Sequence, residues 1–540
     1  MVTGTLLAGG LVTNTNQSAS WVRLPSRNAS IEADAVYYNP AGIMKMDNGF
    51  HFAVSNQTIF QKREITSDYS YLHNSLYEGS VKAPLFPSVA AAYKLNKFAV
   101  SFGFNPVGGG GGATYETGLP SFEMSIADLV PATYANGFGT TDYDADIFFE
   151  GSSIYFGYQG NVSYKINDMI SVAAGFRLVT AKNTYNGYLR DISINPNYPA
   201  FGAAYNGSMV LASDFFTSGA TTLGALAAGA TSYVSGLQPI ITGGGGAVLL
   251  SNGTMVGLSA AQIGQIQQIM GAAGQTPAQI GGATIAYAQA VLGAAAPVFT
   301  ASGATMTGYA AATRDIEVDA EETGMGFTPI ISVNVSPIEA LNIAVKYEFL
   351  TKLELTTALI DNKGGGIFIQ DEVKRADMPA MIAIGVDYTL AKLKLSFGSN
   401  YYFDKSADYG HKIDSDLNPA TPTVHVDNSE IIDNNGMSLQ AGLEYKVSDN
   451  WLASAGYVYG NKGVNSVYQS DLTFGNATHT FGGGGAFTLN KLRINLGVSY
   501  TMYLEDEKHV NHFLGATNLQ PKETYTKSTM IVGAGVELSF

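Results

Sequence analysis

Strict two-residue alternation runs through much of this 540-residue chain and limits what it can fold into. In "KLRINLGVSYTMYLED", Leu492, Ile494, Leu496, Val498, Tyr500, Met502 and Leu504 fall on one face. Arg493, Asn495, Gly497, Ser499, Thr501, Tyr503 and Glu505 fall on the other. The last segment repeats the pattern, with Met530, Val532, Ala534, Val536, Leu538 and Phe540 against Gly533, Gly535, Glu537 and Ser539. Such alternation marks a half-buried strand. The segments are long enough to cross a bilayer as tilted strands, which takes about 9–11 residues. No run of about 18 consecutive apolar residues appears, so no transmembrane helix is expected.

A soluble sandwich would alternate too, but three features favour a transmembrane barrel. The polar faces consist of Gly, Ser, Asn and single charges, as a wet lumen would. Aromatic residues, Trp451 among them, gather near segment ends like the interfacial girdles of outer-membrane barrels. Connections alternate in length. They are tight at 95–97, 166–168, 336–340, 391–392, 448–450 and 489–491, and long and polar at 406–430 and 506–524. Six such hairpins with an opening and a closing strand predict about fourteen strands, an even number as expected. Their limits are 48–60, 82–94, 98–106, 146–166, 169–190, 316–335, 341–355, 373–390, 393–405, 431–447, 451–462, 470–489, 492–505 and 525–540. The expected fold is therefore all-β, a transmembrane antiparallel β-barrel over residues 48–540.

Composition excludes several function classes. A net charge of −15 argues against nucleic acid, which needs basic patches. With no cysteine there is neither a disulfide framework nor a thiolate metal site. The seven histidines are scattered without an HExxH motif, and no Gly-x-Ser-x-Gly elbow occurs. "DSDLNP" (414–419) lacks the central Gly and closing Glu of a calcium loop. No catalytic residue, cofactor or metal is expected. A Ser/His pair assembled across strands is the one enzymatic arrangement that spacing leaves open.

Three stretches depart from the strand pattern. Residues 12–47 contain turn chemistry and apolar residues, including "EADAVYYNPAGIMKM", ahead of the first strand. A segment with Trp21, Ile31, Val36, Tyr37, Tyr38, Ile43 and Met44 is too apolar for a solvated tail, so it is expected to fold into the lumen as a plug. Residues 1–11 are mildly apolar without a basic start, which fits the remnant of a secretory signal or a free N-terminus. The third strand meets Asn105, Pro106 and five glycines, Gly108, Gly109, Gly110, Gly111 and Gly112. Proline removes a ladder donor and glycine offers nothing to hold a pairing, so the strand should kink or part from a neighbour. A flexible loop root is the alternative. Finally, 191–315 is a large loop without one charged residue from Phe215 to Thr313. Ser259 with Gln262 reads as a capping box, and Thr276 with Pro277 as a second helix start. Ile263, Ile266, Ile269 and Met270 share a helix face that would either line an apolar capture groove or pack on its neighbours.

The stretch "RNASIEADAVYYNPAGIMKM", ahead of a barrel ending in Phe540, resembles the hatch of the FadL family of outer-membrane long-chain fatty acid transporters. The family's Asn-Pro-Ala hallmark is matched by Asn39, Pro40 and Ala41, and strand count and loop alternation extend the resemblance over the chain. Two departures, the missing glycine-rich run at 18–30 and the enlarged loop, leave open whether a fatty acid or an aromatic hydrocarbon is carried. The resemblance implies a monomeric barrel in the outer membrane of a Gram-negative bacterium, passing a hydrophobic small molecule inward by diffusion and sideways into outer-membrane lipid at a kinked third strand. It implies extracellular capture helices and a basic headgroup contact, for which Lys182, Lys374 and Arg375 match by position. It also implies contact between Phe540 and the barrel-assembly machinery. A general porin or adhesin-like barrel, or an outer-membrane lipid hydrolase, are the alternatives.

Overall fold

The computed structural model describes residues 13–363, 368–410, 412–413, 424–425 and 428–540. Residues 1–11 and "DSDLNP" lie outside them. Fourteen antiparallel strands form the wall. The first six are β1 (Gly49–Ser67), β2 (Leu76–Leu95), β3 (Phe98–Tyr115), β4 (Tyr143–Lys165), β5 (Ile170–Ile194) and β6 (Ile316–Ile338). Two strands come in pieces, β7 (Leu341–Glu348, then Glu354–Lys363) and β8 (Val373–Arg375, then Met381–Leu390). The rest are β9 (Leu393–Tyr402), β10 (Met437–Lys446), β11 (Trp451–Asn461), β12 (Thr478–Leu489), β13 (Leu492–Tyr503, then Asp506–His509) and β14 (Lys522–Ser539).

Each strand pairs with the next, and β14 pairs with β1 from His51↔Ser539 to Ser67↔Glu523, which closes the barrel. Closure leaves no edge to aggregate or to leave unsatisfied in lipid. The outward faces carry an exposed apolar band, including Phe102, Phe176, Phe327, Val345, Phe397 and Leu496, while alternate residues are buried inward. The exposed Phe540 ring lies against Phe50, and its backbone N–H donates to Phe50 O at 2.8 Å.

The strand limits hold best where alternation is cleanest. β1 and β2 run on to Ser67 and start back at Leu76, through residues whose charges resemble a loop. The third strand does not stop at Pro106. It continues through the glycines to Tyr115 by keeping its pairing with β4 across two register shifts.

By contact the chain divides into two compact units, the barrel with its plug and a helical unit formed by 126–146 and 190–315. In the plug, α1 (Ala19–Arg23) is capped by Ser18, whose side chain accepts from Trp21 N–H, and α2 (Ala35–Tyr38) leads into a 3-10 turn, Pro40–Lys45. The second unit is built on α3 (Ala212–Thr242), α4 (Ala260–Ala272), α5 (Pro277–Gly281) and α6 (Ile285–Ala312). Both capping boxes form, at Ser259 and Thr276. α6 is long and apolar enough to cross a membrane by length and composition, where the sequence led us to expect no such helix. It packs along α3 instead, with Ala288, Leu292 and Phe299 in the same buried cluster as Ala230 and Leu237.

Candidate functional site

The Asn39-Pro40-Ala41 turn is bonded both within the plug and to three strands of the wall. Asn39 Oδ1 accepts from Gly42 N–H, and its Nδ2 donates to Ser30 O (3.0 Å) and to Asn334 Oδ1 on β6 (2.7 Å). Pro40 O accepts from Ser163 Oγ on β4, Ala41 O accepts from Ser171 Oγ on β5, and Ala41 N–H donates to Ser332 Oγ on β6. The turn faces the tight-turn end of the barrel, where Lys45 Nζ donates to Asp168 O. Tyr37 and Tyr38 are buried in an edge-to-face pair 5.0 Å apart.

Charge fixes the opposite side of the plug. Arg23 pairs with Glu444 on β10, which also holds Lys394 of β9 at 3.1 Å. Arg27 holds Asp34 at 2.7 Å, and Glu32 is reached by Arg493 of β13 at 2.6 Å. Burial alone would push the Glu32 carboxyl up, but Arg27, Arg493, Lys394 and Arg23 together hold it well below the usual carboxylate range. In the middle of the lumen, Arg177 makes two bonds to Glu348 (2.7 and 2.8 Å), Lys346 joins the same carboxylate at 2.7 Å, and both cations lie over the Tyr37 ring. These partners were not singled out in the sequence. Their only signal there is a charge on the inward face of an alternating strand.

Beyond the plug an apolar cluster follows. Val107, Tyr155, Val179, Leu353, Leu355 and Met378, from β3, β4, β5 and the β7 and β8 region, are buried in one cluster with Trp21, Tyr37 and Tyr38. A cavity of about 20 Å³, room for one water, lies between plug and wall beside Ser55, Ser88, Asn105 and Glu537.

The strand break lies on this cluster. β2 and β3 pair from Gly79↔Tyr115 to Val81↔Ala113 and again from Val89↔Phe104 to Leu95↔Phe98, but make no pairs between. The unpaired part of β2 contains Pro84 and Pro87, so both strands lack donors there. Gly109 has φ +87°, and a Cβ on it would lie 2.1 Å from Ser153 O. In place of β2, the start of the plug occupies the break. Asn14 N–H donates to Val107 O (2.9 Å), Asn14 Nδ2 to Gly109 O (2.6 Å) and Gln17 Nε2 to Pro106 O (3.0 Å).

Two groups of sequence candidates end up elsewhere. Lys182 sits on the outward face of β5, 57% exposed, and is paired with Glu321 at 2.6 Å. Lys374 is held by Glu322 and Glu372 at 3.3 Å each, and Arg375 by Asp377 at 2.6 Å. The three basic residues therefore do not converge, and each already has a carboxylate. Ile263, Ile266, Ile269 and Met270 are buried among α3, α4 and α6, so their shared face is internal core rather than an open groove.

Among the described residues no cluster of three or more His, Asp or Glu side chains is placed to hold a metal. A Ser/His contact does occur on the wall, where His51 lies between Ser539 Oγ (3.0 Å) and Asp47 O (2.9 Å). The second partner is a backbone carbonyl rather than the carboxylate that a hydrolase would use to orient the ring.

A closed fourteen-strand wall and an inward hatch define a hatch-plugged transmembrane β-barrel. A FadL homologue from Pseudomonas aeruginosa has this fold, with a TM-score of 0.57 and 12% identity over 99% of this chain and 100% of that one. The Pseudomonas putida toluene transporter TodX aligns over 96% of this chain and 97% of its own at TM-score 0.45 and 12% identity. The Ralstonia pickettii toluene transporter TbuX aligns over 94% of each at 0.44 and 12%. No family profile and no curated protein matches the sequence. At such identities the likeness establishes the FadL-type fold.

Proposed function

We propose that this barrel sits in the outer membrane of a Gram-negative bacterium as a monomer and takes up hydrophobic small molecules by diffusion. The exposed Phe540 ring is its contact for the assembly machinery. The observation that carries this reading is the apolar cluster between hatch and strand break. A ligand parting it would meet Val107 on one side and the unpaired stretch of β2, with buried Phe86, on the other. The way out is sideways into lipid once Asn14 and Gln17 release β3, so the ligand never crosses the aqueous periplasm. A sugar or ion porin needs an open lumen, and the bonds of the hatch to β4, β5, β6, β10 and β13 argue against one here.

The test is to remove the break on both strands. Replacing Pro84, Pro87 and Pro106 with Val restores three donors and β-propensity, which favours pairing of β2 with β3. Gly109 must stay, because of its backbone. Binding of an apolar probe to the folded variant is expected to persist, while its transfer into the membrane falls at least about tenfold, from a barrier higher by about 1.4 kcal/mol. A folded variant that transfers at the wild-type rate overturns lateral exit.

A further inference from the structure

The tight-turn end of the barrel has a charge opposite to that of the chain. Overall there are 29 Lys and Arg against 44 Asp and Glu. Around the hatch's last turn the balance reverses, with Lys45, Lys94, Lys97 and Lys165 against Asp47 and Asp168. Hydrogen bonds bring the four lysines together. Lys97 stands in the turn between β2 and β3, and its carbonyl accepts from Lys165 N–H at the end of β4 (2.9 Å). Lys45 Nζ, from the hatch, donates to Asp168 O at 2.9 Å, and Lys165 Nζ holds the carboxylate of the same residue at 2.6 Å. Lys94 Nζ donates to Met46 O, next to Lys45. Of the four, only Lys165 has a carboxylate within ion-pair distance among the described residues. Burial, and then the charge of Lys165, hold the Lys45 ammonium below the usual lysine range, so like charges are crowded here. An ammonium has three N–H donors, and Lys45 and Lys94 each spend one on a backbone carbonyl. Donors and positive charge are left over for an anion.

The flank of this patch is apolar. Tyr93, Leu95, Phe98, Ile166 and Met169 are exposed beside the lysines, and the Phe98 ring lies 4.8 Å from that of Tyr164. Aromatic rings next to cations at the end of a barrel's apolar band mark the depth of lipid headgroups. Lysine stems are long enough to reach over such an edge. A soluble acidic partner would satisfy the charges and leave the apolar edge exposed. An anionic lipid satisfies both.

We propose that Lys45, Lys94, Lys97 and Lys165 bind the phosphodiester headgroup of an anionic phospholipid from the periplasmic leaflet, with its chains on Tyr93, Phe98 and Tyr164. Lys45 brings the hatch into the site, so the lipid ties the hatch's last turn to β2 and β4. This rests on the outer-membrane reading above but not on which compound is carried.

The experiment titrates dioleoylphosphatidylglycerol and dioleoylphosphatidylcholine onto the purified full-length barrel in a non-ionic detergent and counts bound lipid by native mass spectrometry. The wild type is expected to bind one phosphatidylglycerol about tenfold more tightly than phosphatidylcholine, which two lysines beside an anionic headgroup suffice to supply. Lys94→Gln with Lys97→Gln should abolish the preference and leave phosphatidylcholine binding unchanged. Lys392→Gln with Lys491→Gln removes the same charge from other tight turns and should keep the preference. None of these four side chains is buried, and heat-modifiable migration on gels checks that both variants are folded. Trypsin cleavage after Lys45 should slow as phosphatidylglycerol is added to the wild type, and an unchanged rate overturns the tie to the hatch. A preference that survives in the Lys94 and Lys97 variant, or is lost equally in both variants, overturns the site and leaves the uptake reading untouched. So does a wild type without any preference, and its binding of a decaglutamate peptide instead would assign this face to an acidic protein. The membrane reading fails separately, if the protein in cells does not fractionate with the outer membrane.

Discussion

Glu32 shows how much of the site depends on groups far apart in the chain. Arg23, Arg27 and Arg493 all reach its carboxylate, and it is only 19% exposed. Its depressed pKa sets the direction of a pH effect. The unfolded value is about 4.3, so its contribution is fully present above that pH and is lost as acid protonates it through the lower folded value. Hatch seating is thus expected to be flat across neutral pH and to loosen only in strong acid. Glu32→Gln takes from Arg493 the carboxylate it holds and leaves Arg23 with Glu444 and Arg27 with Asp34, and should cost about 3 kcal/mol of hatch docking. Protease accessibility of the hatch against pH checks both, since the variant should be looser at neutral pH and lack the acid limb. The Asn39-Pro40-Ala41 turn was legible in the sequence because a cap and a proline act within a few residues of themselves. The carboxylate partners of Lys182, Lys374 and Arg375 were not legible, because a cation is free or satisfied according to its cross-strand neighbour. That depends on register, which residue type alone does not encode.

At the scale of elements, β3 and the insert differ in what their composition revealed. The break in β3 could be read from Pro106 and its glycines. Its counterpart in β2 was equally visible in Pro84 and Pro87, but only once β2 is seen to extend back to Leu76. In the insert, the capping boxes located α4 and α5, while α3 and α6 passed unrecognised. Their Ala, Gly and Thr give no polar face for a period to stand out against, and their contact is with each other. The burial of Ile266 and Met270 makes a prediction. Ile266→Ala removes a fully buried side chain from the helical core and should destabilise the insert by about 2–5 kcal/mol. Hydrogen exchange should show lost protection across Ala260–Ala272, with that of β10 to β14 unchanged. Equal loss in the strands would mean that the insert does not fold as a unit of its own.

For the whole molecule, the glycines of the wall have a different meaning from the one that alternation suggests. A polar face rich in Gly reads as a wet lumen, yet many of these positions touch the hatch. A Cβ at Gly385 would lie 2.4 Å from Ala29 N, at Gly442 2.5 Å from Leu24 Cδ1, at Gly482 2.6 Å from Val22 O, and at Gly497 2.6 Å from Arg23 N. Strands β8, β10, β12 and β13 thus form a seat whose small residues let the plug's backbone press directly on the wall. Sequence alone could not show this, because the glycines match a surface folded from the other end of the chain. Hatch and wall therefore act as one closure, and the barrel without its plug should be a wide pore. Deleting residues 12–47 is expected to give large, steady ion conductance in planar bilayers, where the intact protein gives little. Gly497→Val is the finer test, since it leaves the strand's outward face alone and collides only with the hatch. It should assemble normally and conduct intermittently as the plug is forced off its seat. A deletion that conducts no better than the intact barrel would mean that loops or the wall itself close the lumen.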